Sequence, residues 1–135
     1  MIEMELNKIV IDEKRHDQLI VLKEKDGERL LPIVIGLSEA SAIKLKISGF
    51  TPPRPLTHDL LHSTIENLEA SVEKIIIDRL EENTFHAKLV LRQNGKVKTI
   101  DARPSDSIAL AVRAKAPIFV EDKILEQADL FNKKK

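Results

Sequence analysis

The sequence predicts a single α+β domain in which a βββα unit occurs twice around a mixed or antiparallel sheet. Two hairpin signals, Asp26-Gly27 and Asn94-Gly95, each lie between apolar, β-rich runs. Each return strand leads into a similar helix start, Ser38-Glu39-Ala40-Ser41-Ala42-Ile43 and Ser105-Asp106-Ser107-Ile108-Ala109-Leu110. Strands grouped ahead of helices, rather than alternating with them, argue against a doubly wound parallel sheet. At 135 residues with 42% apolar content, the chain supports one core and has no room for two.

The elements follow in order. Residues 2–11 partly alternate and read as a strand, and Leu19-Ile20-Val21-Leu22 is a continuous apolar run after the polar turn 12–17. A type I′ turn at Asp26-Gly27 would place Glu24 opposite Arg29 and Lys25 opposite Glu28. The return strand, residues 30–35, contains Pro32, which fits an edge, a strand end or a bulge. Ser38 is the expected N-cap of a helix over about 39–48, with Ala40, Ile43 and Ile47 inward and Gly49 as its stop. Thr51-Pro52-Pro53-Arg54-Pro55 is a stiff connector, since its prolines fix φ and bias the preceding residues out of the helical region. Thr57 then caps a helix over about 58–70 with Leu61, Ile65 and Leu68 inward.

The second half has strands over 71–80 and 85–92, the Asn94-Gly95 turn, and a return strand over 96–102. In that register Lys88 faces Asp101 and His86 faces Arg103. A helix to about Lys115, a short strand at 117–120, whose length suggests a sheet edge, and a helix over about 122–131 complete the domain. The domain therefore spans 1–131, and 132–135 is a basic tail expected to be disordered.

Composition excludes several classes of function. The 22 basic residues balance 22 acidic ones, so bulk counterion release cannot drive tight polyanion binding. With no cysteine there is no thiol nucleophile, disulfide framework or cysteine-ligated metal; a cytoplasmic location is expected. The acidic start is unlike a signal peptide, and no apolar run approaches membrane-spanning length. Four phenylalanines, without tyrosine or tryptophan, are too few for an OB-fold or RRM stacking platform.

Two clusters carry chemistry. Arg54, His58, Asp59 and His62 follow the proline connector. His58 and His62 share a helical face at a spacing that zinc sites use, but with no third ligand nearby in sequence the face reads first as solvated polar surface. His58 alone, in the first turn of its helix, lies where the dipole favours neutral imidazole, the form of a general base or a metal ligand. The second cluster, Asp101, Arg103, Ser105 and Asp106, lies at a strand-to-helix junction. Arg103 and Ser105 there suit a phosphate, and Asp101 and Asp106 suit Mg²⁺ or Mn²⁺. Alternatively, Asp101 is the ion-pair partner of Lys88, and Ser105 or Asp106 is a helix cap. Gly-rich phosphate loops, G-x-S-x-G and H-E-x-x-H are absent.

The segments Arg54-Pro55-Leu56-Thr57-His58-Asp59-Leu60 and Asp101-Ala102-Arg103-Pro104-Ser105-Asp106-Ser107-Ile108-Ala109-Leu110 resemble the bifunctional nuclease domain family. Leu31-Pro32-Ile33-Val34-Ile35-Gly36 and Ala116-Pro117-Ile118-Phe119-Val120 extend the resemblance across roughly residues 5–130. It implies a duplicated α+β domain that self-associates and cleaves DNA and RNA with little sequence preference. The expected site has His58 and Asp106 as catalytic residues and Arg54, Arg103 and Ser105 on the phosphate. Asp101, Asp106 and Glu39 would hold Mg²⁺ or Mn²⁺. Expected partners are DNA and RNA, bound transiently, and a second copy of the chain, most simply in a homodimer. The alternative is a non-enzymatic regulatory or ligand-binding module built from the same residues.

Overall fold

The computed structural model describes residues 1–15 and 17–133. Three strands, β1 (Ile2–Val10), β2 (Asp17–Glu24) and β3 (Leu30–Gly36), lead to helix α1 (Leu37–Ile47) and, beyond the proline connector, α2 (Thr57–Asn67). Strands β4 (Ala70–Glu81), β5 (Thr84–Gln93) and β6 (Lys96–Ala102) then lead to α3 (Pro104–Ala114), β7 (Ile118–Val120) and α4 (Asp122–Lys133). The last helix runs past the expected start of the tail at 132; the tail's Lys134 and Lys135 lie outside the described residues.

All seven strands form one mixed sheet in the order β3-β2-β1-β7-β4-β5-β6. β7 is antiparallel to β1 and parallel to β4, so β1 and β4 run in opposite directions on either side of it. Each half is an antiparallel meander followed by a helix, and connectivity is symmetric about β7. Pro32 lies on edge strand β3, where its missing N–H costs no ladder bond on the open side. The strand at 117–120, expected at an edge, is central instead. Register shifts in β4 at Glu73 and Asp78, and in β1 at Asn7, are bulges that bend the sheet.

The two turn signals diverge. Asn94 and Gly95 both have positive φ, 51° and 76°, and the expected register holds from Gln93↔Lys96 to Ala87↔Ala102, with Lys88 paired to Asp101. Asp26 and Gly27 are not among the positive-φ residues, and the strands are joined by the five residues 25–29. Glu24 does face Arg29, at 2.6 Å, but Lys25 pairs with Glu3 of β1 instead of Glu28. His86 meets Arg79 rather than Arg103. A further tight hairpin, at Glu82-Asn83 with φ of 49° and 64°, carries no glycine to announce it.

One core spans the sheet and all four helices, with α3 at its centre. Ala109 and Ala111 are fully buried on α3, and their small side chains let it approach α1, α2, β4 and β5. Helix α1 begins after Gly36, so Ser38 is inside the helix and caps nothing; Ile47 is exposed while Ala42 is buried. Helix α2 is rotated from the expected setting. Ile65 is buried, but Leu61 and Leu68 face solvent and His58 turns inward. Its N-cap is Leu56 rather than Thr57, and the Asp59 carboxylate accepts the Leu56 N–H at 3.0 Å.

Candidate acid–base site at three helix starts

The first turns of α1, α2 and α3 converge. Glu39 occupies the third position of α1, His58 the second of α2 and Asp106 the third of α3. Acidic side chains in a first turn complement the free N–H groups and the positive end of the helix dipole, which explains their local placement. Pro104 at the first position of α3 fixes its entry. Gly36 makes room for Glu39, because a Cβ there would collide with the Glu39 carboxylate.

Asp106 is the hub. His58 Nε2 lies 2.9 Å from its Oδ1, and Arg103 Nε donates to its Oδ2 at 2.9 Å. Arg103 also donates to Glu39 Oε1 at 3.0 Å. Burial would raise Asp106, but hydrogen bonds from Arg103 and His58, with their charges, outweigh it and hold the carboxyl below the usual range. The Asp106 and Glu39 carboxylates in turn raise Arg103. An ionised Asp106 only accepts, so His58 presents an Nε2–H to it, and Nδ1 makes no hydrogen bond among the described residues. The His58 side chain is only 12% exposed, so the ring is held in place. An open cleft of about 640 Å³ passes over His58, Arg103 and Asp106, walled by Glu39, Pro55 and Leu56.

A second lock ties the last turn of α3 to the start of α2 and to the body of α1. Arg113, buried on α3, donates to Asp59 Oδ1 of α2 at 2.7 Å and to the carbonyls of Ala109 and, at 3.4 Å, Ala42 of α1. Asp59 is held low first by the Leu56 N–H, against burial, and then by Arg113. The sequence reading missed Arg113. Its signal is a single charge at the end of the apolar run Ile108 to Val112.

The remaining candidates lie apart from this hub. Ser105 is buried and lines a separate cleft of about 430 Å³ against β3 and Phe85, with Arg103 on the boundary between the two. Arg54 is exposed and makes no hydrogen bond or ion pair among the described residues. Asp101 is exposed and pairs with Lys88 at 3.2 Å. The expected Mg²⁺ or Mn²⁺ set of Glu39, Asp101 and Asp106 is not assembled: Arg103 bridges Glu39 and Asp106, and Lys88 holds Asp101. Among the described residues, no group of three or more His, Cys, Asp or Glu side chains is placed to hold a metal ion. Among the described residues His62 pairs with Glu66, at 3.7 Å, and takes no part in the hub.

A mixed seven-stranded sheet whose helix starts gather a histidine, two carboxylates and an arginine over an open cleft defines a class of small single-domain α+β proteins. Within that class the chain belongs to the bifunctional nuclease domain family, whose model matches residues 20–133. It is 46% identical over 122 residues to an uncharacterized protein of Mycobacterium tuberculosis, covering 90% of this chain and 73% of that one. It is 32% identical over 114 residues to Bifunctional nuclease 2 of Oryza sativa subsp. japonica, covering 82% of this chain and 35% of the rice protein. Bifunctional nuclease 1 of Arabidopsis thaliana matches at 29% over 114 residues, 82% of this chain and 35% of its own length. The chain thus spans about a third of these plant relatives.

Proposed function

We propose that this domain hydrolyses phosphodiester bonds of DNA and RNA with little sequence preference, in transient encounters, as a cytoplasmic homo-oligomer. The observation that carries the reading is the His58–Asp106 dyad in an open cleft beside Arg103. His58 Nδ1 takes the proton of a water that attacks phosphorus, and Asp106 orients the ring and balances the imidazolium that forms. Arg103, whose third guanidinium nitrogen has no partner among the described residues, stabilises the added charge on the phosphoryl oxygens. The leaving oxygen of the strand recovers its proton from the imidazolium as the P–O bond breaks. Water as nucleophile makes no use of a 2′-hydroxyl, which fits both nucleic acids. Family membership supports the nuclease reading. No helix among the described residues is long and apolar enough to cross a membrane, and the unpaired edges of β3 and β6 leave room for self-association.

A second reading, a non-enzymatic binding module, is favoured by one observation: Arg103 satisfies both Glu39 and Asp106, so the network also serves to stitch three helices. Hydrolysis of a labelled oligonucleotide by purified chain in EDTA separates the two. His58→Ala should reduce kcat by about 10²-fold, while His62→Ala stays near wild type. Activity that survives His58→Ala or fails to co-elute with the protein supports the binding module. Equal loss in His62→Ala points instead to a helical zinc pair, and an absolute need for Mg²⁺ or Mn²⁺ would reassign Glu39 and Asp106 as ligands.

A further inference from the structure

A second cleft, about 320 Å³, lies on the other side of Pro55 and Leu56, which wall both. Its lining includes Phe50, Pro52, Pro53 and Lys46, with the Asp59–Arg113 pair beneath. Charge decides what it can hold. The acid–base cleft has two carboxylates against one arginine, so an extended polyanion must find its cations elsewhere. The Lys46 side chain lines this cleft and makes no hydrogen bond or ion pair among the described residues. Arg54, between lining residues Pro53 and Pro55, is equally unpaired. Asp59 lies near enough for the charge of Lys46 to lower its carboxyl, but its hydrogen bonds go to Arg113 and the Leu56 N–H and neither cation pairs with it.

Shape decides the rest. Phe50 is 52% exposed, and with Pro52 and Pro53 it gives the cleft an apolar wall beside Lys46, while Arg54 is carried on the same proline connector. An aromatic face beside free cations is what a nucleotide of a single strand requires, since its base is unstacked and its phosphate charged. We propose that this cleft is a nucleotide subsite. One base stacks on Phe50 and the prolines, its phosphate lies between Lys46 and Arg54, and the strand continues over the shared wall into the His58 cleft. This rests on the hydrolase reading and adds a substrate class to it: single-stranded nucleic acid, read by stacking and charge and therefore tolerant of sequence.

The chain has no tryptophan, so Phe50→Trp introduces a single reporter. Titrating this variant with a dodecamer of thymidylate should quench its emission, and inorganic phosphate at equal charge should not. Anisotropy of the labelled dodecamer should show Phe50→Ala binding roughly tenfold more weakly. The salt slope should fall by about 0.7 for Lys46→Ala, with the exposed Lys98→Ala as a control away from the cleft. Unchanged emission at saturating dodecamer, wild-type affinity in Phe50→Ala at an unaltered melting temperature, or a duplex bound as tightly as the single strand would overturn the subsite. Absence of hydrolysis by wild type with the quench intact would overturn the hydrolase reading and leave the subsite standing.

Discussion

Replacing Asp59 by alanine tests whether the Arg113 lock fixes α2 against α3. The Arg113 side chain is 4% exposed and that of Asp59 is 29% exposed, with 2.7 Å between them. Removing one partner of a buried pair costs roughly 3–5 kcal/mol, because the other charge is left uncompensated. Partial exposure of Asp59 puts this case near the lower end, about 3 kcal/mol. The same substitution frees the Leu56 N–H, which is a lost cap worth about 1 kcal/mol. A total near 4 kcal/mol, at roughly 3–4 °C per kcal/mol for a domain of this size, lowers the Tm by about 12–16 °C. Circular dichroism melts at pH 7 give the number. Asp59→Ala with Arg113→Met removes the stranded charge and should recover about half of the loss. A fall of less than about 3 °C in the single variant, or no recovery in the double one, would refute the argument.

Two further outcomes follow from the same geometry. Asp59 and Asp106 both have folded pKa values held below those of the unfolded chain. Their contribution is therefore complete above the unfolded carboxylate range, near pH 4, and is lost as pH falls through their folded values. Melts taken from pH 7 to pH 3 should drop below about pH 4, and Asp106→Asn should flatten that drop. Gly95→Ala places a side chain at φ of 76° and should cost about 1 kcal/mol in urea unfolding. Gly27→Ala, outside the positive-φ region and crowded only by the Glu24 side chain, should stay within about 0.5 kcal/mol.

What was legible in the sequence was local. Asn94-Gly95 fixed a register because both residues tolerate the left-handed backbone that a two-residue turn needs, and the pairing of Lys88 with Asp101 came with it. Asp26-Gly27 carries the same signal but answers to a third strand: Lys25 donates its N–H to the Glu3 carbonyl and its ammonium to the Glu3 carboxylate. The rotation of α2 was not legible either. Leucine spacing set Leu61 and Leu68 inward, whereas bonds from His58 to Asp106 and from Asp59 to Arg113 turn the polar first turn toward α3. His58, Arg103, Asp106 and Glu39 group in one expected site because each lies at or beside a helix start. Which atoms meet, across 48 and 64 residues, with Arg103 bridging two carboxylates expected to hold a metal, is not encoded by periodicity.

The three residues of β7 join the two halves of the sheet, and they follow both halves in the chain. During synthesis β1 and β4 are made long before the strand that lies between them. Each meander then waits with an open inner edge, the kind that invites pairing with other chains. Joining the two halves thus awaits a late segment, and its pairings, such as Ile2 with Val120, are non-local, which slows folding relative to helical domains of similar length. A ribosome-bound chain ending before Ile118 carries two sheets without their keystone. Any factor that shields exposed strands would meet its client at that stage.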